Sequence, residues 1–160
     1  MKKIRSLEYI LGQEDLSRKL VLWYLIDDHK LKTALDIGCA GMETAQWMVR
    51  AGAKVTAIDV NDYSNEDHKG IEFIQGRSQD ILPTMTEKFD LIFIDGDHSK
   101  EAVLEDLKQA ERLSKRFIVV HDYDLEKGVT EAVDEFWGKP ELLILDHPKR
   151  DYGGIVIHER

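Results

Sequence analysis

The sequence has little of three features that would each indicate a particular class of protein: cysteine, net positive charge and long apolar runs. A single cysteine, Cys39, excludes an intramolecular disulfide framework and a cysteine-rich zinc site, and it makes a reducing cytoplasm the expected compartment. The formal net charge of -9 argues against nucleic-acid partners, because phosphate binding requires a basic face. The longest apolar run, Leu20 to Ile26, is far shorter than the roughly 20 residues of a membrane span. We therefore expect a cytoplasmic protein without a membrane partner.

Short apolar runs rich in branched residues alternate with helical patterns along the chain. The first pattern at helical spacing predicts an amphipathic helix over about 14–29. The runs that predict strands lie at 34–37, 55–60, 71–75, 89–94, 117–121, 142–145 and 155–158, with helical patterns near 43–51, 99–113 and 129–137. This alternation is typical of parallel βαβ units, so we predict a single α/β domain over 1–160 with a doubly wound, mostly parallel, seven-stranded sheet. The connection between the last two strands is too short for a crossover helix, which predicts a C-terminal antiparallel hairpin.

A turn of small residues follows the first predicted strand and indicates a bound nucleoside. A helix begins after the turn, and about 20 residues later the next strand ends on Asp59, an acid suited to ribose hydroxyls. A dinucleotide would need its pyrophosphate at the start of that helix, where Glu43 would repel it. Asp36, which opens the turn, likewise favours a cationic ligand. S-adenosylmethionine fits these requirements, because it carries a sulfonium and an ammonium group and no phosphate.

At these residues the chain resembles the class I S-adenosylmethionine-dependent methyltransferases. Their first motif reads acid-x-Gly-x-Gly-x-Gly, and it is matched by Asp36, Gly38 and, as alanine, Ala40, whereas Met42 replaces the third small residue. The resemblance implies a Rossmann-like methyltransferase fold with the C-terminal hairpin described above, and S-adenosylmethionine as the cofactor. The residues expected around this cofactor are Asp36, Gly38, Cys39, Ala40, Gly41, Asp59, Val60, Gly76, Arg77, Ser78 and Asp95.

Two further strand ends carry polar groups at the edge where open α/β sheets bind ligands. The fourth predicted strand leads into Asp95 to His98, and the fifth ends on His121 and Asp122. These runs resemble the subgroup that includes cephalosporin-biosynthesis and macrolide or sugar O-methyltransferases. In many of its members acids at these places hold a divalent cation, which implies Asp95, His121 and Asp122 as metal ligands. Magnesium prefers oxygen ligands and an imidazole suits manganese, iron or zinc better, while a hydrogen-bonded network without metal is the alternative.

Three functions follow from these patterns. The first is methyl transfer to a hydroxyl group of a small molecule, with His98 as general base and Asp95 as a second catalytic residue. The alternative role of His98 is that of a residue at the start of the following helix. The second is a regulatory or scaffolding protein that binds S-adenosylmethionine without transferase activity, because 160 residues leave no cap over an acceptor site. The third is a nicotinamide-dependent oxidoreductase, which Glu43 disfavours. The sequence leaves both the acceptor and a homo-oligomeric state open.

Overall fold

The structure of the protein is a computed structural model that describes residues 17–65, 68–140, 143–145 and 153–160. The strands are β1 (Thr33–Ile37), β2 (Lys54–Asp59), β3 (Ile71–Gln75), β4 (Phe89–Ile94), β5 (Ser114–Tyr123), β6 (Leu143–Leu145) and β7 (Gly154–Glu159). The helices are α1 (Ser17–His29), α2 (Glu43–Arg50), α3 (Ser78–Ile81), α4 (Lys100–Leu113) and α5 (Lys127–Trp137). Two single 3₁₀ turns, at 40–42 and 82–84, precede α2 and follow α3.

The seven strands form one sheet in the order β3-β2-β1-β4-β5-β7-β6. Strands β1 to β5 pair in parallel, whereas β7 is antiparallel to both β5 and β6. This confirms the predicted α/β sheet with its antiparallel C-terminal hairpin. The strand order reverses direction between β1 and β4, and an open α/β sheet binds ligands at such a point, outside the carboxyl ends of the strands.

The predicted elements differ from the observed ones mainly at their ends. Strand β5 begins at Ser114, three residues before its predicted start, because α4 passes directly into it. The short helix α3 was not predicted, since four residues are too few to show a helical period. The predicted start of the first helix at residue 14 lies outside the described residues.

Two apolar cores cover the two faces of the sheet, as a doubly wound fold requires. Helices α1 and α2 pack on one face through residues such as Leu22 and Met48. Helices α4 and α5 pack on the other face through residues such as Leu107 and Val133. Among the described residues, none of the helices has the length and the apolar character that crossing a membrane would require.

The alternation of side chains along the strands decides which face carries each strand-end acid. In β1, Ala34 belongs to the core under α1 and Leu35 to the opposite core, so Asp36 returns to the α1 side. The same alternation directs Asp59 and His121 to the α1 side of β2 and β5. The polar ends of three strands thus share the face on which α1 lies.

Candidate active site

The carboxyl ends of β1 and β4 meet at Gly38. This residue has φ +85°, and its N–H donates to the carbonyl of Ile58 at 2.9 Å. A Cβ atom at this position would lie 2.2 Å from the carbonyl oxygen of Asp95 and 2.5 Å from the Cα of Gly96. Glycine is therefore required both by the left-handed backbone and by the contact between the two strand ends. The contact brings the glycine turn next to Asp95.

Met42, the departure from the family motif, contributes to the core. Its side chain is fully buried, its backbone is left-handed with φ 66°, and its N–H donates to the carbonyl of Cys39 at 2.8 Å. Gly41 is left-handed as well, and a Cβ atom there would contact nothing within 4 Å. Burial raises the pKa of the Cys39 thiol to about 12, so this side chain stays protonated and fills space in the turn. The turn therefore closes in spite of the substitution.

Asp59 lies at the end of β2 beside the glycine turn and is buried. Its Oδ2 accepts a hydrogen bond from the Ala40 N–H at 3.1 Å. Its Oδ1 accepts from the N–H and the side-chain amide of Asn61, at 2.9 and 3.1 Å. These donors fix the carboxylate, and a carboxylate offers about four lone-pair sites, so capacity remains for a hydroxyl donor. The next side chain, Val60, is exposed at the same edge.

The end of β3 leads through Gly76 and the exposed Arg77 into helix α3, which begins at Ser78. The side-chain amide of Gln79 donates to Ser78 Oγ at 2.8 Å and to Asp106 Oδ1 at 3.1 Å. Asp106 lies on α4 and is completely buried, and this burial raises its pKa to about 6. The sequence analysis missed the pairing of Gln79 with Asp106. A signal was present, because Asp106 is an acid on the apolar face of a predicted helix.

Asp36 is the most deeply buried acid of the site, with no exposed surface. Neither of its carboxylate oxygens has a hydrogen-bond partner among the residues that the structure describes. Burial raises its pKa to about 8, the charges of Asp95 and Asp59 add to this increase, and the charge of Arg18 opposes it. The site therefore holds a carboxyl group that is predominantly neutral at pH 7 and that lacks a donor.

Asp95, His121 and Asp122 converge at the ends of β4 and β5. His121 Nδ1 lies 3.3 Å from Asp95 Oδ1 and 3.1 Å from Asp122 Oδ1. One nitrogen or oxygen atom from each residue lies within 4.8 Å of the others, a spacing at which the three could hold one metal ion. Asp122 has a left-handed backbone with φ 61°, and a Cβ atom on the neighbouring Gly153 would lie 2.2 Å from its Cα. The close approach of Gly153, the residue before β7, thus helps to position Asp122.

His98 completes this group from the loop after β4. Its Nε2 lies 3.2 Å from Asp122 Oδ2 and 3.7 Å from Asp95 Oδ1, and its Nδ1 lies 3.9 Å from Glu126 Oε1. The interaction with Asp95 raises the pKa of His98, and burial opposes the increase. Burial would raise the pKa of Asp95, but the side chains of His121 and His98 lower it below its usual value. The imidazole is therefore within reach of the same space that Asp95 and Asp122 face.

The residues predicted from the sequence form two neighbouring sets. The cofactor edge comprises residues 36–41, 59–60 and 76–78 at the ends of β1, β2 and β3. The strand-end cluster comprises Asp95, His98, His121 and Asp122 at the ends of β4 and β5. The two sets meet where Gly38 contacts the backbone of Asp95. Within the cofactor edge, the side chain of Cys39 is buried, and that of Arg77 is exposed at the start of α3.

The fold and the two sets define a Rossmann-like α/β protein with its binding crevice at the carboxyl edge of the sheet. Residues 23–123 match the family model described as a methyltransferase domain, and the chain belongs to that family. The match confirms the resemblance to class I S-adenosylmethionine-dependent methyltransferases, and it leaves the oxidoreductase alternative without support. No protein in the curated set matches the chain by sequence.

Several solved structures share the fold at low sequence identity. The O-methyltransferase from Bacillus cereus, in complex with SAH, is 17% identical with a TM-score of 0.71, over 99% of this chain and 92% of that one. The O-methyltransferase TomG from Streptomyces achromogenes, involved in tomaymycin synthesis and in complex with SAM, is 20% identical with a TM-score of 0.69, over 98% and 89%. The ribosomal protein L11 methylase from Lactobacillus delbrueckii subsp. bulgaricus is also 20% identical, with a TM-score of 0.61 over 90% and 79%. Because these relatives differ in what they act on, the likeness identifies the fold and leaves the acceptor open.

Proposed function

We propose that this protein transfers the methyl group of S-adenosylmethionine to a hydroxyl oxygen of a small molecule, assisted by a divalent cation. The observation that carries the proposal is the contact at Gly38, which joins the cofactor edge to the strand-end cluster. A methyl donor bound at the first set would have its reactive end next to the ligands and the base of the second. Methyl transfer requires mainly this alignment, because the sulfonium leaving group is already activated.

In this proposal the cofactor edge binds the nucleoside part of S-adenosylmethionine. Asp59 accepts hydrogen bonds from the ribose hydroxyls, Val60 contacts the adenine, and the backbone from Gly76 to Ser78 borders its edge. The three hydrogen bonds that Ala40 and Asn61 donate to Asp59 keep the carboxylate oriented before the cofactor arrives. Such preorganisation lowers the cost of ordering on binding.

The donor set of the strand-end cluster fits a divalent cation. Asp95, His121 and Asp122 offer two carboxylates and one imidazole within 4.8 Å of one another. The imidazole favours manganese or another transition metal over magnesium, which prefers oxygen ligands. A cation held there would lower the pKa of an acceptor hydroxyl. Asp95 and Asp122 would at the same time orient the acceptor beside the methyl group.

His98 is the proposed general base. Its Nε2 lies 3.2 Å from Asp122 Oδ2, so it borders the space in which the acceptor hydroxyl would sit. A histidine can accept a proton near neutral pH, and this makes it suited to removing the hydroxyl proton as the new oxygen–carbon bond forms. The net charge of -9 favours a neutral or cationic acceptor over a strongly acidic one.

The proposal is tested by following S-adenosylhomocysteine formation against a panel of phenols, catechols and sugar hydroxyls, with manganese or with a chelator. We expect turnover that depends on the acceptor and falls with chelation and in Asp122→Asn. Asp124→Asn is the matched control, because Asp124 is an exposed acid directly after β5 whose backbone is left-handed like that of Asp122. Absence of binding of S-adenosylmethionine and S-adenosylhomocysteine at millimolar concentration in titration calorimetry would refute the proposal.

The alternative is a protein that binds S-adenosylmethionine without transferring its methyl group. Met42, where the chain departs from the family motif, gives this alternative no support, because the turn closes around its buried side chain. Cofactor binding without product from any acceptor, with turnover only after a partner protein is added, would favour this alternative.

A further inference from the structure

The turn that connects β5 to α5 is held together by its own hydrogen bonds. The carbonyl of Asp122 accepts from the N–H groups of Leu125 and Glu126, at 3.2 and 2.9 Å. Thr130 Oγ1 accepts from the Asp124 N–H at 3.0 Å and donates to the Glu126 carbonyl at 3.2 Å. Asp122 and the start of α5 therefore form one connected unit.

The start of α5 also touches the loop that carries His98. A Cβ atom at Gly128 would lie 2.2 Å from the carbonyl oxygen of His98 and 2.8 Å from the nitrogen of Lys100. Gly128 is the second residue of α5 and its φ lies outside the left-handed region, so its backbone conformation does not require glycine. Alanine is favoured over glycine at a helical position by up to about 1 kcal/mol. The close approach to the His98 backbone is thus the feature that requires glycine here, against helix propensity.

Glu126 approaches the imidazole of His98 from the same turn. Its Oε1 lies 3.9 Å from His98 Nδ1, whereas Asp122 Oδ2 lies 3.2 Å from His98 Nε2. Each ring nitrogen therefore faces one acid of the turn, while the backbone of His98 is in contact with Gly128. Residues 95–99 belong to no helix or strand, so contacts with neighbouring elements decide where the ring lies.

We propose that the start of α5 positions His98 for its role as general base, through Gly128 at its backbone and Glu126 at its outer nitrogen. This inference rests on the proposed function and adds to it two positioning residues, which act through His98. Because the same turn carries Asp122, it would fix the base relative to a proposed metal ligand. A general base must lie within hydrogen-bond reach of the proton that it removes. A displacement of about 1 Å can lower the rate by about 100-fold.

Gly128→Ala is the main test. The added Cβ atom would overlap the His98 carbonyl, so the loop of His98 must move away from α5. We expect kcat to fall by about tenfold or more, with KM for S-adenosylmethionine within about twofold of the wild type. In a His98→Gln background the same substitution should not lower kcat further, because the group that Gly128 positions is already lost.

Gly138→Ala is the matched control at the other end of α5. A Cβ atom there would meet nothing within 4 Å, but the φ of +81° makes alanine strained. This variant should therefore lose stability and keep its kcat. It separates a general loss of stability from a displacement of His98.

Glu126→Gln tests the second contact with little risk to folding, because the Glu126 side chain is half-exposed. Glutamine keeps the size of glutamate and removes its charge. We expect kcat to fall by about threefold, since an exposed ion pair contributes little. Glu131→Gln, at an equally exposed acid further along α5, should leave kcat unchanged.

A second readout needs no acceptor. The NMR signal of the His98 Cε1–H group is assigned by its absence in His98→Gln. It should shift in Gly128→Ala and in Glu126→Gln, and it should stay in place in Gly138→Ala and Glu131→Gln. If no acceptor of the panel is methylated, this comparison decides whether α5 positions His98.

The outcomes separate this inference from the proposed function. If the wild type does not bind S-adenosylhomocysteine, the proposed function itself fails, whatever the variants show. If Gly128→Ala lowers kcat equally with and without His98, or leaves the His98 signal unchanged, the positioning role alone is wrong. Circular dichroism checks that each variant is folded, and if Gly128→Ala is unfolded, Glu126→Gln decides the case through kcat and the same signal.

Discussion

The cofactor edge and the strand-end cluster lie side by side but are built in different ways. In the cofactor edge the backbone makes the decisive contacts: Gly38 touches the backbone of Asp95, and Asp59 accepts from the N–H of Ala40. In the strand-end cluster, side chains face side chains, with separations of 3.1 and 3.2 Å from Asp122 to the two imidazoles. In the cofactor edge, Asp59 accepts hydrogen bonds without any ligand, whereas Asp36 has no donor among the described residues. The strand-end cluster concentrates two acids and two histidines around a space that suits a cation.

The difference shows how each set should respond to change. The cofactor edge should lose ligand binding when its backbone is forced to move. Because Gly38 contacts the backbone of Asp95, the strand-end cluster should then lose its binding as well. A side-chain substitution in the strand-end cluster should remove cation binding alone and leave cofactor binding in place. The four predictions that follow test this contrast, starting with the largest expected effect.

Gly38→Ala should disrupt both sets. The new Cβ atom would lie 2.2 Å from the Asp95 carbonyl oxygen in a left-handed residue, so β1 and β4 must separate at their ends. We expect the free energy of unfolding to fall by about 4 kcal/mol or more. Gly41→Ala, which adds a Cβ atom in open space at φ +76°, should cost only about 1 kcal/mol. Urea unfolding of the two variants measures the contrast, and equal losses would show that the close approach at Gly38 does not matter.

Asp122→Asn should remove cation binding and spare the nucleoside. The change takes one carboxylate from the proposed metal ligands at a residue whose φ of 61° asparagine tolerates well. We expect the affinity for Mn²⁺ to fall by about 100-fold, with the affinity for S-adenosylhomocysteine within about twofold of the wild type. Titration calorimetry with each ligand provides the measurement, and Asp124→Asn serves as control. A parallel loss of both affinities would contradict the separation of the two sets.

Asp106→Asn tests the role of the buried acid on α4 that accepts a hydrogen bond from Gln79. Its pKa in the folded protein is about 6, above the ordinary value of 3.8, so folding favours the protonated form. The resulting stabilisation is complete below pH 3.8 and is lost as the pH rises through about 6. Relative to Asp106→Asn, the wild type should therefore lose up to about 3 kcal/mol of unfolding free energy over this interval.

Urea unfolding at pH 4, 5, 6 and 7 measures this difference. Asn keeps an oxygen that can accept from Gln79, so the variant preserves the 3.1 Å contact while removing the titration. If the difference between wild type and Asp106→Asn does not change with pH, the carboxyl group is not protonated in the folded protein.

Asp59→Ala should weaken the nucleoside and spare the cation, the converse of Asp122→Asn. It removes the acceptor proposed for the ribose hydroxyls together with the partner of the Ala40 N–H. We expect the affinity for S-adenosylhomocysteine to fall by about tenfold, with Mn²⁺ binding unchanged. Asp62→Ala is the matched control, since Asp62 is an exposed acid in the loop that follows β2. An unchanged affinity for S-adenosylhomocysteine would contradict the proposal that Asp59 binds the ribose of the cofactor.

Much of the fold could be predicted, because strand and helix periods are local properties of the chain. The strands appear in the sequence as branched apolar runs, and each of the seven predicted runs overlaps an observed strand. The ends of β5 and the short α3 could not be predicted. Strand β5 follows α4 without a loop that would mark its start, and α3 spans only four residues.

In the candidate site, too, local patterns predict some of the residues, and only tertiary packing brings the others together. Gly38 and Asp59 could be singled out because a strand, a turn and a second strand place them in a recognisable order. Gln79 and Asp106 could not, since 27 positions separate them and only the packing of α4 against α3 brings them to 3.1 Å. Met42 departs from the family motif, and only the structure shows that the turn closes with its side chain in the core.

The sequence by itself determined the order of the strands along the chain, the mostly parallel sheet and the acids that end the strands. These follow from side-chain periodicity and from the geometry of parallel sheets, which act over a few residues. Only the tertiary structure decided that Asp36 is left without a donor, that Gly128 touches the backbone of His98, and that His98 reaches Asp122. Those relations depend on how separate helices and loops pack on the sheet, and no local pattern in the chain encodes that packing.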